Sequence, residues 1–114
     1  MTVYVSGHIT IHDRAEYAAY EAGFMEVFET FGGTLLSVDE APTVLEGNWE
    51  ATRFVLISFP SHDAVMAWYN SDGYQAIVKH RHAASVMNAV ISTGLDELAP
   101  PPPPLPAPGT TAAS

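Results

Sequence analysis

The sequence predicts an α+β fold, an antiparallel sheet with helices on one face, arranged as the split β-α-β sandwich of ferredoxin-like domains. Three observations carry that prediction. Alternating and helically periodic runs interleave as strand, helix, strand, strand, helix, strand. A capping residue, Asp13 or Ser61, stands before each helical run. The chain has 114 residues, 47% of them hydrophobic, and no cysteine, so one domain can be cored without disulfide staples.

The elements follow in order. "TVYVSGHITIH" is rich in β-branched residues and alternates, with Val3, Val5, Gly7, Ile9 and Ile11 on one face and Tyr4, Ser6, His8, Thr10 and His12 on the other. Asp13, with Glu16 three residues on, is an N-cap and capping-box pair for "RAEYAAYEAGFMEVFETF". In that run Tyr17, Tyr20, Phe24, Val27, Phe28 and Phe31 recur at helical spacing, and Gly32 and Gly33 supply the left-handed stop. "TLLSV" is a second strand. Residues 43–46 allow a short edge strand turned at Gly47 and Asn48. "RFVLISF" is the most strand-like run, ended by Pro60. Ser61 caps "HDAVMAWYN"; a break at Ser71, Asp72 and Gly73 follows, helix resumes as "YQAIVKHRHAA", and "SVMNAVIST" is the last strand.

The domain is expected over residues 1–96. Residues 97–114, with "PPPPPLPAPGTTAAS", read as a disordered proline-rich tail that cannot bury enough apolar surface to fold alone. Four Lys and Arg stand against 13 Asp and Glu, a formal charge of −9. Such a surface repels phosphate backbones and anionic lipid, which argues against nucleic acid and membrane as partners. No run approaches the ~20 apolar residues of a membrane span, and the N-terminus lacks a signal-peptide layout, so a cytoplasmic protein is expected. In "RFVLISF", Arg53, Val55, Ile57 and Phe59 lie opposite Phe54, Leu56 and Ser58, and helices can cover only one face. A homodimer with sheets packed face to face is the expected solution for the other.

Asp13, Tyr17 and Tyr20 in D-x-x-x-Y-x-x-Y, the Gly32-Gly33 pair, "VLEGNW", Arg53 before a strand closing on Phe59, Pro60 and Ser61, then "AWYNSDGYQ" and Arg81 occur in that order. The pattern resembles domain-of-unknown-function family 1330, similar to the dimeric α/β-barrel superfamily, over about residues 2–95. The resemblance implies a protomer that dimerises into an α/β barrel, with a cavity between sheet and helices where relatives in the wider superfamily bind small organic molecules. Some of those relatives are cofactor-free oxygenases, cyclases or lyases, some bind haem and some are sensors. His8 departs from the family pattern, where an acidic or apolar residue is expected.

Among the aromatics, Trp68 reads as core filling, and Tyr69 and Tyr74 as cavity lining with polar ends. Arg53 and Arg81 are either salt-bridge partners for the many carboxylates or holders of an anionic ligand, since guanidinium matches a carboxylate or enolate. Arg14, in a first helical turn, reads as a surface residue. His8, mid-strand, is the candidate proton carrier. His80 and His82 diverge on their helix and His62 is solvated; with no HExxH or CxxC, no metal is expected. Nor is there a nucleophile elbow, Walker loop or dinucleotide fingerprint.

The expectation is a small-molecule enzyme without a cofactor, of lyase, isomerase or cyclase type. His8, Tyr69 and Arg53 are its catalytic candidates, and Tyr74, Arg81, Trp68 and Tyr17 bind the substrate, an apolar or aromatic metabolite, neutral or anionic. The alternative is a non-catalytic dimeric binding protein that uses the same pocket.

Overall fold

The computed structural model describes residues 2–95. The expected tail over residues 97–114 lies outside them. Seven elements occur in the order β1 (Val3–Ile11), α1 (Arg14–Thr30), β2 (Thr34–Asp39), β3 (Arg53–Phe59), α2 (His62–Tyr69), α3 (Asp72–Ala84) and β4 (Ser85–Thr93). The four strands form one antiparallel sheet in the order β2-β3-β1-β4, so β1 and β3 are central and β2 and β4 are edges. The fold is ferredoxin-like.

The local chemistry explains the boundaries. An Asp13 carboxylate oxygen accepts from the Glu16 N–H at 3.1 Å and starts α1. Gly32, at φ 80°, ends it in the left-handed region that a side chain disfavours. The Ser61 hydroxyl accepts from the Ala64 N–H at 3.0 Å and starts α2. The break between α2 and α3 is shorter than the sequence suggests. Asp72 and Gly73 are already helical because Ser71 is the N-cap: its Oγ accepts from the Tyr74 N–H at 3.1 Å and donates to the Trp68 carbonyl at 2.8 Å. One hydroxyl therefore stops one helix and starts the next.

Residues 43–46 are irregular, in place of the expected edge strand. Pro42 removes a ladder donor and Gly47, at φ 81°, turns the chain, so the segment forms a loop from Glu40 to Thr52. Thr52 ties that loop down, its N–H donating to the Ile9 carbonyl at 2.8 Å and its Oγ1 accepting from the Ile11 N–H at 2.9 Å. β2 is also irregular, with a bulge between Leu35 and Ser37.

The core lies between the helices and one sheet face. Val3, Ile9, Ile57 and Phe59 point into it from the central strands, and Tyr17, Tyr20, Phe28, Val65, Trp68, Tyr74 and Val78 meet them from the helices. Phe28 packs edge-on against Phe59, ring centroids 5.4 Å apart. Burying each such aromatic side chain contributes about 1.5–3 kcal/mol, which makes this layer the main stabilising feature. α1 and α3 approach closely at Gly23, where a Cβ would come within 2.8 Å of Ile77.

Among the described residues no helix covers the opposite sheet face. The register places Tyr4, Ser6 and His8 of β1 beside Ser58, Leu56 and Phe54 of β3 and beside Ser92, Val90 and Asn88 of β4. Val86 and Val90 are 64% and 62% exposed there.

Candidate functional site

The helix and sheet layers do not close completely against the β4 edge. Between α2, α3 and β4 lies a cavity of about 560 Å³, lined on the helix side by Trp68, Tyr69, Tyr74, Arg81 and His82 and on the strand side mainly by Met87, Ala89, Val90 and Ile91. It falls within the range of cavities that hold small organic molecules. Helical spacing aligns Tyr74 and Arg81 on this wall, because positions 74, 78, 81 and 84 follow one another down the buried stripe of α3.

Arg81 is the unusual residue of this wall. It is only 4% exposed, it has no carboxylate partner among the described residues, and its Nε–H has no protein acceptor. The guanidinium lies 5.6 Å from the centroid of the Tyr20 ring. Burial opposes its charge, but the tyrosine oxygens around it, Tyr74 foremost, outweigh burial and hold its pKa above the ordinary arginine value. Phenol hydroxyls are dipoles rather than counter-charges near neutral pH, so no group among the described residues compensates the buried Arg81 charge.

Two further donors border the same space. The indole N–H of Trp68 is buried without an acceptor, and the Tyr74 hydroxyl pairs with the Tyr20 hydroxyl at 2.9 Å. Four side-chain N–H groups among the described residues are buried without a partner, those of Trp49, Arg53, Trp68 and Arg81, and the last two belong to residues of this cavity wall. Trp68 also packs on Phe59 and Tyr74, ring centroids 5.2 and 4.3 Å away, and so serves core and cavity together. Tyr69 is partly exposed at the mouth, with its ring 5.4 Å from that of Tyr74.

The other expected site residues fall elsewhere. Arg53 and Tyr17 border a separate cavity of about 170 Å³ between α1 and strands β2 and β3. There the Arg53 charge is compensated twice, by Glu21 at 2.9 Å and Glu40 at 3.1 Å, and Glu40 also binds Arg14 at 2.6 Å. Arg53 sits 5.6 Å over the Tyr17 ring, and burial, partly offset by Arg53, raises the Tyr17 phenol pKa. This is the salt-bridge reading of Arg53, and Arg14 is on the surface as expected.

His8 corrects the expectation most clearly. It lies on the helix-free sheet face, its ring 4.6 Å from Trp49 and 5.7 Å from Phe54, and so cannot act in a cavity on the other side of the sheet. The alternation of β1 defined both faces correctly, but Gly7, not His8, looks toward the helices. The histidine at the cavity is His82, while His80 pairs with Glu16. Sequence reasoning missed His82 and Tyr20. The signal for His82 was its position beside Arg81 and four residues after the buried Val78; Tyr20 carried only its place in the α1 stripe and in the D-x-x-x-Y-x-x-Y pattern. Among the described residues no group of three His, Asp or Glu could hold a metal ion, and no helix is long and apolar enough to cross a membrane.

Comparison with known proteins agrees with this architecture. The model of the family described as "Domain of unknown function (DUF1330)" matches residues 2–95. No curated protein matches the chain. Among solved structures, the RPA0582 protein of unknown function from Rhodopseudomonas palustris is similar with a TM-score of 0.73 at 21% identity, covering 82% of each chain. A dimeric ferredoxin-like protein of unknown function from Jannaschia sp. CCS1 gives a TM-score of 0.59 at 13% identity, over 82% of this chain and all of that one (100%). SnoaB, a cofactor-independent oxygenase from Streptomyces nogalater, gives 0.54 at 19% identity, over 87% of this chain and 97% of that one. At these identities the likeness is one of fold.

Proposed function

Starting from the premise that this chain belongs to the DUF1330 family, we propose that the cavity between α2, α3 and β4 binds an apolar, unsaturated metabolite through an anionic oxygen and performs cofactor-independent proton-transfer chemistry on it. The observation that carries this reading is Arg81, a buried cation with no counter-charge among the described residues, on a mostly apolar wall. Isolated buried charge is costly, and an anionic ligand removes that cost while an apolar body fills the rest of the cavity.

The residues suit an isomerase- or lyase-type step. A substrate carbonyl placed among Arg81, Tyr74 and Trp68 would develop negative charge on oxygen as a neighbouring C–H bond breaks, and preorganised donors stabilise that charge. The C–H electron pair becomes a carbon–carbon double bond and displaces the carbonyl π pair onto the oxygen, and the proton moves to His82, the histidine bordering the cavity. Its return to a different carbon completes an isomerisation with no redox partner. Tyr69 shields the mouth, whereas Arg53, Tyr17 and His8 stay outside the chemistry. The likeness to an oxygenase that dispenses with cofactors is compatible, since an enolate held in this way is also the electron-rich species that oxygen transfer would require.

The protein is proposed to work as a homodimer, with the helix-free sheet face covered by a second copy. The exposed valines of that face and the description of a fold neighbour as dimeric support this.

Native mass spectrometry of the purified protein, beside Arg81→Met, tests the site. A retained unsaturated acid, enol or phenol in the parent, absent from the variant, is the expected result. A ligand retained equally by both would overturn the assignment of Arg81. Incubating the identified ligand in deuterated water then separates turnover from passive binding, because proton transfer at carbon incorporates deuterium.

A further inference from the structure

The hydrogen bond between Tyr20 and Tyr74 has a direction, and the direction fixes what the site offers a ligand. Tyr20 is 6% exposed, and the Tyr74 hydroxyl is its one hydrogen-bond partner among the described residues. If Tyr74 donated, the Tyr20 proton would turn toward the small cavity that Tyr20 borders with Tyr17 and Arg53, and Tyr74 would offer the larger cavity no donor. If Tyr20 donates, its proton is satisfied and the Tyr74 proton is free to turn toward the cavity that Tyr74 borders. Arg81, alongside, has no acceptor atom to take it. We propose that Tyr20 is a positioning residue that holds Tyr74 as a donor, and that Tyr74 and Arg81 together form a site for the ionised hydroxyl of a phenol or enol.

This rests on the reading of the cavity as an anion site and narrows its ligand class. Charge spread over a conjugated body loses less hydration on entering an apolar cavity than the concentrated charge of a carboxylate. The rings of Trp68, Tyr69 and Tyr74 offer such a body flat surfaces. A chain of hydroxyls also strengthens its terminal donor, since each bond polarises the next. Burial, with Tyr74 acting in the same direction, holds the Tyr20 phenol well above its ordinary pKa, so its proton stays in place as the inner donor.

The probe is para-nitrophenol, whose phenol and phenolate forms absorb at different wavelengths, with benzoate as a carboxylate control. Titrating the bound probe should show its pKa lowered by about one unit or more, a roughly tenfold preference for phenolate. Tyr20→Phe keeps the ring that packs on Tyr17 and Phe24, so binding should persist with the pKa shift reduced. Tyr74→Phe should reduce it at least as far, and Arg81→Met should abolish it.

An unshifted pKa in the parent protein overturns the inference, as does a full shift retained in both tyrosine variants. Benzoate bound in an Arg81-dependent way, with para-nitrophenol rejected or bound neutral, overturns the phenolate site and leaves the anion reading intact. Indifference of both probes to Arg81→Met overturns both. Should Tyr20→Phe not fold, the parent and Tyr74→Phe titrations still decide.

Discussion

Arg81 and Arg53 carry the same charge in the same layer of the molecule, and their neighbours give them opposite roles. Arg53 is held by two carboxylates that remain near water, so Arg53→Met should cost no more than about 1 kcal/mol, the usual worth of such pairs. Arg81 has no such partner among the described residues, and apolar replacement of buried charge is often neutral or stabilising by about 1–4 kcal/mol. Arg81→Met is therefore expected to hold or raise the melting temperature while losing the ligand. A large fall in melting temperature would mean that Arg81 is structural. Tyr20 gives a pH signature of its own. Burial raises its folded-state pKa well above 10.0, so the neutral phenol favours the folded state. That contribution is complete below the unfolded-state value, near 10.0, and is lost as pH rises toward the folded one. Thermal denaturation followed above about pH 10 should show stability falling, and falling less steeply in Tyr20→Phe.

At the scale of elements, the joint between α2 and α3 determines whether the cavity wall is assembled. The Ser71 hydroxyl donates to the Trp68 carbonyl at the end of one helix and accepts from the Tyr74 N–H at the start of the next, and those two residues carry donors of the site. Ser71→Ala should cost about 1 kcal/mol, as N-cap losses do, and should also weaken ligand binding, because Trp68 and Tyr74 lose their fixed relation. Calorimetry with and without ligand separates the two effects; a stability loss with unchanged affinity would make the joint merely a cap. This joint was only half legible in the sequence. The residues between Asn70 and Gly73 announced a break, but the hydroxyl's double use, which places Asp72 inside α3, depends on Trp68 and Tyr74 being brought together in three dimensions. β3 and β4 were legible to the residue because alternation, Pro60 and the helix stripe all agree on their ends. The loop between Glu40 and Thr52 was not, since β-branched Thr43 and Val44 suggest a strand that Pro42 and Gly47 forbid.

The whole molecule turns on which sheet face meets the helices. A period of two sorts residues into two sets without naming the buried one, so His8 could be assigned to the cavity only by assumption. Packing settles the matter: Val3, Ile9, Ile57 and Phe59 form the core, and His8, Leu56 and Val90 share the face that the helices leave open. Arg81 was legible as one of four cations, but its isolation was not, because it depends on where every carboxylate comes to lie.

The open face leads to the last prediction. Leu56 is central on that face, paired with Ser6 of β1, and lines none of the described cavities. In a monomer, Leu56→Glu would simply place a carboxylate on a surface near water, at little cost. In a face-to-face dimer it would bury two carboxylates close together, and like charges without partners in an apolar seam are prohibitive. The variant should therefore run as a monomer by native mass spectrometry, with its far-ultraviolet dichroism kept, while the parent runs as a dimer. Val90 borders both this face and the cavity mouth, so the dimer would close the site as well as cover the sheet, and the monomeric variant should bind ligand more weakly than the parent. A variant that stays dimeric would move the interface elsewhere; a monomer with undiminished affinity would separate assembly from the site.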